Sequence, residues 1–265
     1  MNKISYQDIV RQKGVRPITC LTAYTKSIAK ILDGIVDIVL IGDSVGTAMY
    51  DMKNTQGVTL QMMKDHGKAV NQNIKNSLTI VDMPYNTYTS KKQALKNARE
   101  ILNYTKINFI KIETDGKNID IIKYLISKKI NIVAHIGVTP QMFKDFKKIK
   151  SVGNNKTKSN SLVSLAINLQ QIGVKIIVLE CIKDLVAKKI TSVLKIPTIG
   201  IGSSKHCDGQ ILVINDLLNY DVTEKKPKFI KIFANLNKII NLSVRKYTKQ
   251  VINKQFPNSK QSYKL

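Results

Sequence analysis

The chain has 265 residues, 43% of them hydrophobic and 23% charged, a composition that excludes a wholly disordered polypeptide. Lysine and arginine number 43 against 18 acidic residues, a formal charge of +25. Nearly all of that excess is lysine scattered in short doublets, arginine occurs only at 11, 16, 99 and 245, and tryptophan is absent, so the charge reads as solvated surface and not as a nucleic-acid footprint.

In chain order, residues 1–14 hold no apolar run of signal-peptide length, and the apolar stretch 35–41 is far too short to span a membrane. Cys20, Cys181 and Cys207 follow no metal-ligand spacing, and so sparse a set fits a reducing compartment. The expectation is a cytoplasmic protein without membrane or nucleic-acid partners. Short runs rich in Ile and Val predict strands at 18–22, 38–42, 78–83, 109–113, 132–137, 175–180, 197–202 and 210–214. Helical spacing predicts helices over 23–32, 59–76, 90–105, 119–128, 159–172 and 183–194, with a final helical stretch at 228–252. Residues 144–161 are polar, irregular and long enough for a lid or loop. Eight apolar strands, most followed by a helix and with no linker between them, predict one α/β domain, a (β/α)8 barrel over residues 1–252 with a polar tail at 253–265. An open doubly wound sheet is the alternative.

Five consecutive strands end in ionisable side chains. These are Asp43 in Gly42-Asp43-Ser44-Val45-Gly46, Asp82 before Met83-Pro84, Lys111 and Glu113 in Lys111-Ile112-Glu113, His135 in His135-Ile136-Gly137, and Glu180 before Cys181. Each has an ordinary explanation on its own: a helix cap for Asp43, an ion pair for Lys111 and Glu113, a satisfied core histidine for His135, a buried filler for Cys181. A barrel, however, brings strand ends to a single mouth, and buried charge is costly unless paired or metal-bound. Asp43, Asp82 and Glu113 are hard oxygen donors that suit Mg2+ better than zinc. A 2-oxo acid chelates such an ion through its carboxylate and keto oxygens, and the ion then stabilises an enolate. In that reading Lys111 neutralises the substrate carboxylate and Glu180 takes the proton. A purely structural polar cluster is the competing reading. Gly200-Ile201-Gly202 lacks a full phosphate-loop pattern and reads as a tight turn at a strand exit.

The ordered series Thr22-Ala23-Tyr24, Gly42-Asp43-Ser44-Val45-Gly46, Asp82-Met83-Pro84, Lys111-Ile112-Glu113, His135-Ile136-Gly137-Val138-Thr139-Pro140-Gln141, Leu179-Glu180-Cys181 and Asp208-Gly209-Gln210 resembles the 3-methyl-2-oxobutanoate (ketopantoate) hydroxymethyltransferase family, from about residue 5 to 250. The resemblance implies a (β/α)8 barrel that binds Mg2+ and assembles as a homodecamer. It implies transfer of a one-carbon unit from 5,10-methylenetetrahydrofolate to 3-methyl-2-oxobutanoate, giving 2-dehydropantoate for pantothenate and coenzyme A. It implies metal binding by Asp43, Asp82 and Glu113, substrate contacts from Asp43, Ser44, Asp82 and Lys111, Glu180 as the general base, and a supporting role for His135. Other lyases or mutases acting on 2-oxo acids remain open as an alternative. Three departures from the family pattern fall in expected loops. Thr25 stands where the family usually has Asp. Lys147-Lys148-Ile149-Lys150-Ser151-Val152-Gly153 keeps only Lys150 and Gly153 of a longer motif, and Ser203-Ser204 replaces Ala-Gly.

Overall fold

A computed structural model describes residues 3–143, 151–220 and 227–263. Lys150 and the rest of 144–150, the first part of the expected lid or loop, lie outside the described residues. Eight strands form: β1 Ile18–Thr22, β2 Ile38–Ile41, β3 Leu78–Asp82, β4 Phe109–Glu113, β5 Asn131–Gly137, β6 Ile176–Glu180, β7 Thr198–Ile201 and β8 Gly209–Leu212. All are parallel, each pairs with the next, and β1 closes on β8. This is the (β/α)8 barrel expected from the apolar runs, not an open sheet.

The helices are α1 Tyr6–Gln12, α2 Lys26–Leu32, α3 Val45–Met49, α4 Leu60–Asn71, α5 Lys91–Thr105, α6 Ile119–Ser127, α7 Lys156–Gln171, α8 Asp184–Val193, α9 Ile214–Leu217 and α10 Leu236–Ile252. Hydroxyl and amide caps explain many of their starts: Thr25, Thr59, Ser90 and Asn155 each accept a backbone N–H from the first turn of α2, α4, α5 and α7. Thr25 thus does at the head of α2 what Asp also does well, which accounts for that departure. The Asn155 cap places residues 156–161 in a helix where their composition suggested a loop. Their Lys, Thr, Ser and Asn side chains face mostly outward, so no apolar stripe marked that turn.

The chain divides into two compact units, residues 1–213 and 214–265. The barrel strands all lie in the first unit. In the second unit α9 and α10 are joined by a segment held by Phe233 N–H to Leu217 O at 2.9 Å and Leu236 N–H to Leu218 O at 2.8 Å. No helix among the described residues is long and apolar enough to cross a membrane.

Along each strand alternate side chains face the barrel axis. The inward set is Ile18 and Cys20 of β1, Ile38 and Leu40 of β2, Leu78 and Ile80 of β3, Phe109 of β4, Val133 of β5, Ile176 and Val178 of β6, Ile199 of β7 and Ile211 of β8, with Ile9 of α1 packed against them. Each such side chain contributes roughly 1.5–3 kcal/mol when fully buried. The same period of two, carried one step further, lands on Thr22, Gly42, Asp82, Lys111 then Glu113, His135 and Glu180. The barrel interior is therefore hydrocarbon below and ionisable at its C-terminal mouth, within single strands.

Candidate active site

Strand register sets the first contacts. Asp82 of β3 is the Cα partner of Lys111 of β4, and their side chains form an ion pair of 3.0 Å. Glu113 of β4 is the partner of His135 of β5, with Oε1 and Nδ1 3.4 Å apart. His135 Nε2 lies 3.1 Å from Glu180 Oε2 on β6, and its Nδ1 is 3.4 Å from Lys111 Nζ. Asp43 sits just past β2, and its backbone N–H donates to Asp82 Oδ2 at 3.0 Å. Gly42 leaves room for the Ser44 hydroxyl, because a Cβ there would stand 2.9 Å from Ser44 Oγ. The Ser44 hydroxyl shares a 2.7 Å hydrogen bond with Tyr24 OH.

The expected residues Asp43, Ser44, Asp82, Lys111, Glu113, His135 and Glu180 thus converge on one mouth. Asp82 and Glu113 are 1% exposed, whereas the Glu180 side chain is 16% exposed, so solvent reaches the cluster on the Glu180 side. Glycine at 137 is required here: its φ is +105° and a Cβ would collide with the backbone oxygen of Glu180. The backbone just after Glu180 is tied from both flanks. Val152 N–H donates to Cys181 O at 2.9 Å, and Ile182 N–H donates to Ser203 Oγ at 2.9 Å. Ser203, a departure from the family pattern, therefore braces the β6 exit, and Val152 shows that residues beyond 150 join it.

Burial dominates the electrostatics. It pushes the Asp43 carboxyl above its ordinary range against the pull of Lys111, and the charge of Glu113 pushes the same way. Burial lifts Asp82 to about 6, again opposed by Lys111 and reinforced by Asp43. Burial alone would lower Lys111, but the carboxylates of Asp82, Asp43 and Glu113 together hold it above its usual value. Burial and Lys111 both push His135 down, yet Glu113 and Glu180 on its two sides raise it to about 9.

Among the described residues, no group of three or more His, Cys, Asp or Glu side chains stands ready to hold a metal ion. Asp43, Asp82 and Glu113, expected as a joint set, meet at one mouth without forming a closed cage. Mg2+ does not require one, since it takes one or two carboxylates and fills its shell with water and substrate oxygens. One observation fits such an ion: Asp82 Oδ1 is a buried oxygen without a hydrogen-bond partner, while Oδ2 of the same carboxylate is held by Lys111 and the Asp43 backbone N–H. Glu113 Oε2 is likewise held by the Gln141 backbone N–H, and its Oε1 meets only the longer, 3.4 Å approach of His135 Nδ1.

Three site neighbours went unassigned in the sequence. Gln141, in the 3-10 turn Pro140–Met142 after β5, donates from Nε2 to Asp43 Oδ2 at 2.7 Å and from its backbone N to Glu113 Oε2 at 3.0 Å. Tyr88 OH donates to Gln141 Oε1, and Tyr24 reaches Ser44. The Thr139-Pro140-Gln141 block was visible as a motif, but only the folded turn shows that it reaches β2 and β4.

A parallel barrel with a buried cluster of acids and two bases at its C-terminal mouth carries its ionisable groups where barrel enzymes have their active sites. Solved structures agree on the fold: a 2,3-dimethylmalate lyase of the PEP mutase/isocitrate lyase superfamily superposes with a TM-score of 0.60 at 12% identity, covering 100% of this chain and 89% of that one. A phosphonopyruvate hydrolase in complex with oxalate and Mg2+ superposes at 0.58 and 12%, covering 98% and 93%. The chain belongs to the ketopantoate hydroxymethyltransferase family, whose model matches residues 3–259. It is 44% identical to a 3-methyl-2-oxobutanoate hydroxymethyltransferase of Pelagibacter ubique over 99% of this chain and 100% of that protein. The enzyme of the same name from Helicobacter pylori is 36% identical over 99% and 97%.

Proposed function

We propose that this chain transfers the one-carbon unit of 5,10-methylenetetrahydrofolate to 3-methyl-2-oxobutanoate, giving 2-dehydropantoate, with Mg2+ at the acidic mouth. Family membership supports the reaction, and the unpartnered buried oxygen Oδ1 of Asp82, beside a Glu113 carboxylate held by only one of its oxygens, is the observation that carries the cation. Asp43, Asp82 and Glu113 would hold it, and when bound it would withdraw electron density from the 2-oxo group. Mg2+ in the oxalate complex of the phosphonopyruvate hydrolase is a precedent in the same fold.

Lys111, held cationic by its acidic neighbours, pairs with the substrate carboxylate, and Ser44 donates to a substrate oxygen. Glu180 takes the proton from C3 of the oxo acid. His135, 3.1 Å from Glu180, orients that carboxylate. Water releases the one-carbon unit as formaldehyde, both carbon–nitrogen bonds breaking and each folate nitrogen keeping a proton from the water. The electron pair left at C3 then forms the new carbon–carbon bond, and the former formaldehyde oxygen takes the proton back from Glu180 to become the product hydroxyl. The same reading carries a cytoplasmic setting, a place in pantothenate and coenzyme A synthesis, and a homodecamer.

The test is an assay of purified protein with the oxo acid, methylenetetrahydrofolate and Mg2+. Product should require all three and vanish with chelator. Consumption of the oxo acid without folate would instead mark a lyase or mutase.

A further inference from the structure

Gln141 is the best-connected side chain of the site, though it carries no charge and faces no open solvent. It is 1% exposed, and every hydrogen-bonding group it owns is used. One amide, Nε2, donates both to Asp43 Oδ2 at 2.7 Å and to the backbone oxygen of Met83 at 3.0 Å. Its Oε1 accepts from Tyr88 OH, its backbone N–H donates to Glu113 Oε2 at 3.0 Å, and its backbone oxygen accepts from Gln56 Nε2 at 2.8 Å. Because Tyr88 can only donate to an oxygen there and Asp43 can only accept, the amide has one orientation.

We propose that Gln141 is the positioning residue of the cation site. It spaces the carboxylate of Asp43, from the β2 exit, against that of Glu113, from the β4 exit, by gripping one with its side chain and the other with its backbone. The grip takes Oε2 of Glu113 and leaves Oε1 on the side of the cluster, where only His135 Nδ1 approaches it, at 3.4 Å. A carboxylate fixed by one oxygen presents the other in a set direction, so the ordering cost of collecting scattered acids around an ion is met before the ion arrives. Tyr88 acts one step further out by locking the amide. The inference rests on the cation reading above and assigns to an uncharged turn residue the spacing of two acids from separate strands.

The experiment titrates Mg2+ alone into metal-free wild type, Gln141→Met and Tyr88→Phe by calorimetry, with the thermal midpoint of each metal-free protein recorded beside it. Gln141→Met keeps the volume and removes the donors, and its dissociation constant for Mg2+ should rise about 10–100-fold. Tyr88→Phe removes a single hydroxyl and should weaken binding by a smaller factor. In steady-state assays under saturating Mg2+, Gln141→Met should regain kcat more completely than KM for the oxo acid, a split that loss of stability alone does not produce. Unchanged Mg2+ affinity in each variant that folds overturns the positioning role. Wild type that binds no Mg2+ at millimolar concentration overturns the cation reading itself, and the wild-type titration alone reports that.

Discussion

Two sets of aspartates sit at opposite ends of one barrel and are treated in opposite ways. At the N-terminal face Asp37, just before β2, accepts from Thr19 N at 2.8 Å, Thr19 Oγ1 at 2.9 Å, Gln12 Nε2 at 3.1 Å and both Arg16 terminal nitrogens at 2.6 and 3.1 Å. Burial pushes its carboxyl up, but those donors win and hold it below the usual range. Asp33, which caps the end of α2, is likewise held low against burial by the backbone N–H groups of Ser77, Lys75 and Asn76. Asp208 closes the same face onto Lys13 at 2.7 Å and the Thr198 backbone at 2.8 Å. At the C-terminal mouth Asp43 and Asp82 are more deeply buried than Asp33 and Asp208, their carboxyls are pushed up by that burial, and Asp82 keeps an oxygen without a hydrogen-bond partner. The lower acids are satisfied and hold the fold. The upper ones are left short of positive charge, the condition in which a cation or substrate has something to supply.

Four substitutions or conditions probe that contrast. The largest effect should come from Glu180→Gln, which removes the base and lowers turnover by about 100–10,000-fold while leaving binding of the oxo acid in place, read by steady-state kinetics beside calorimetry. Asp82→Ala should follow, weakening both Mg2+ and oxo-acid binding by at least about tenfold. It should also erase the Mg2+-induced rise in stability, which at 100 times the dissociation constant amounts to about 2.7 kcal/mol in the wild type. Asp37→Ala should cost about 2–3 kcal/mol in urea unfolding through lost charge-assisted hydrogen bonds, with turnover per folded molecule unchanged and the Mg2+ increment intact. Loss of turnover in Asp37→Ala without loss of stability would erase the division between the two ends.

The smallest effect is in acid. Asp33 and Asp37 have folded-state values below the ordinary 3.8, so the folded protein holds fewer protons there than the unfolded chain. Their stabilisation is fully present above pH 3.8 and drains away as pH falls through the lower folded values. Unfolding of wild type and Asp37→Asn between pH 7 and 2 should therefore show a gap that is constant above pH 5 and narrows below 3.8.

The barrel was legible because most of its strands are buried on both faces and so appear as apolar runs rich in Ile and Val between helices. The acids and bases of the mouth were legible because each breaks such a run at or near its C-terminal end. Short elements were not: α1 and α3 carry too few turns to show a period, and α7 begins under a polar first turn that looks like a loop. Gln141, Tyr88 and Tyr24 escaped assignment for a different reason. Their importance lies in what they touch across 53, 98 or 20 residues of chain, as in Tyr88 with Gln141, Gln141 with Asp43 and Tyr24 with Ser44. No local pattern encodes such distances.

The proposed reaction begins with removal of the C3 proton of a 2-oxo acid by Glu180, beside a cation-bearing acidic cluster at the barrel mouth. Deuterium uptake at C3 of 3-methyl-2-oxobutanoate in heavy water, followed by proton resonance without folate, reads that step alone. Exchange that depends on Mg2+ in the wild type and is absent in Glu180→Gln is the predicted result. Exchange at the wild-type rate in Glu180→Gln, or exchange indifferent to chelator, would contradict it.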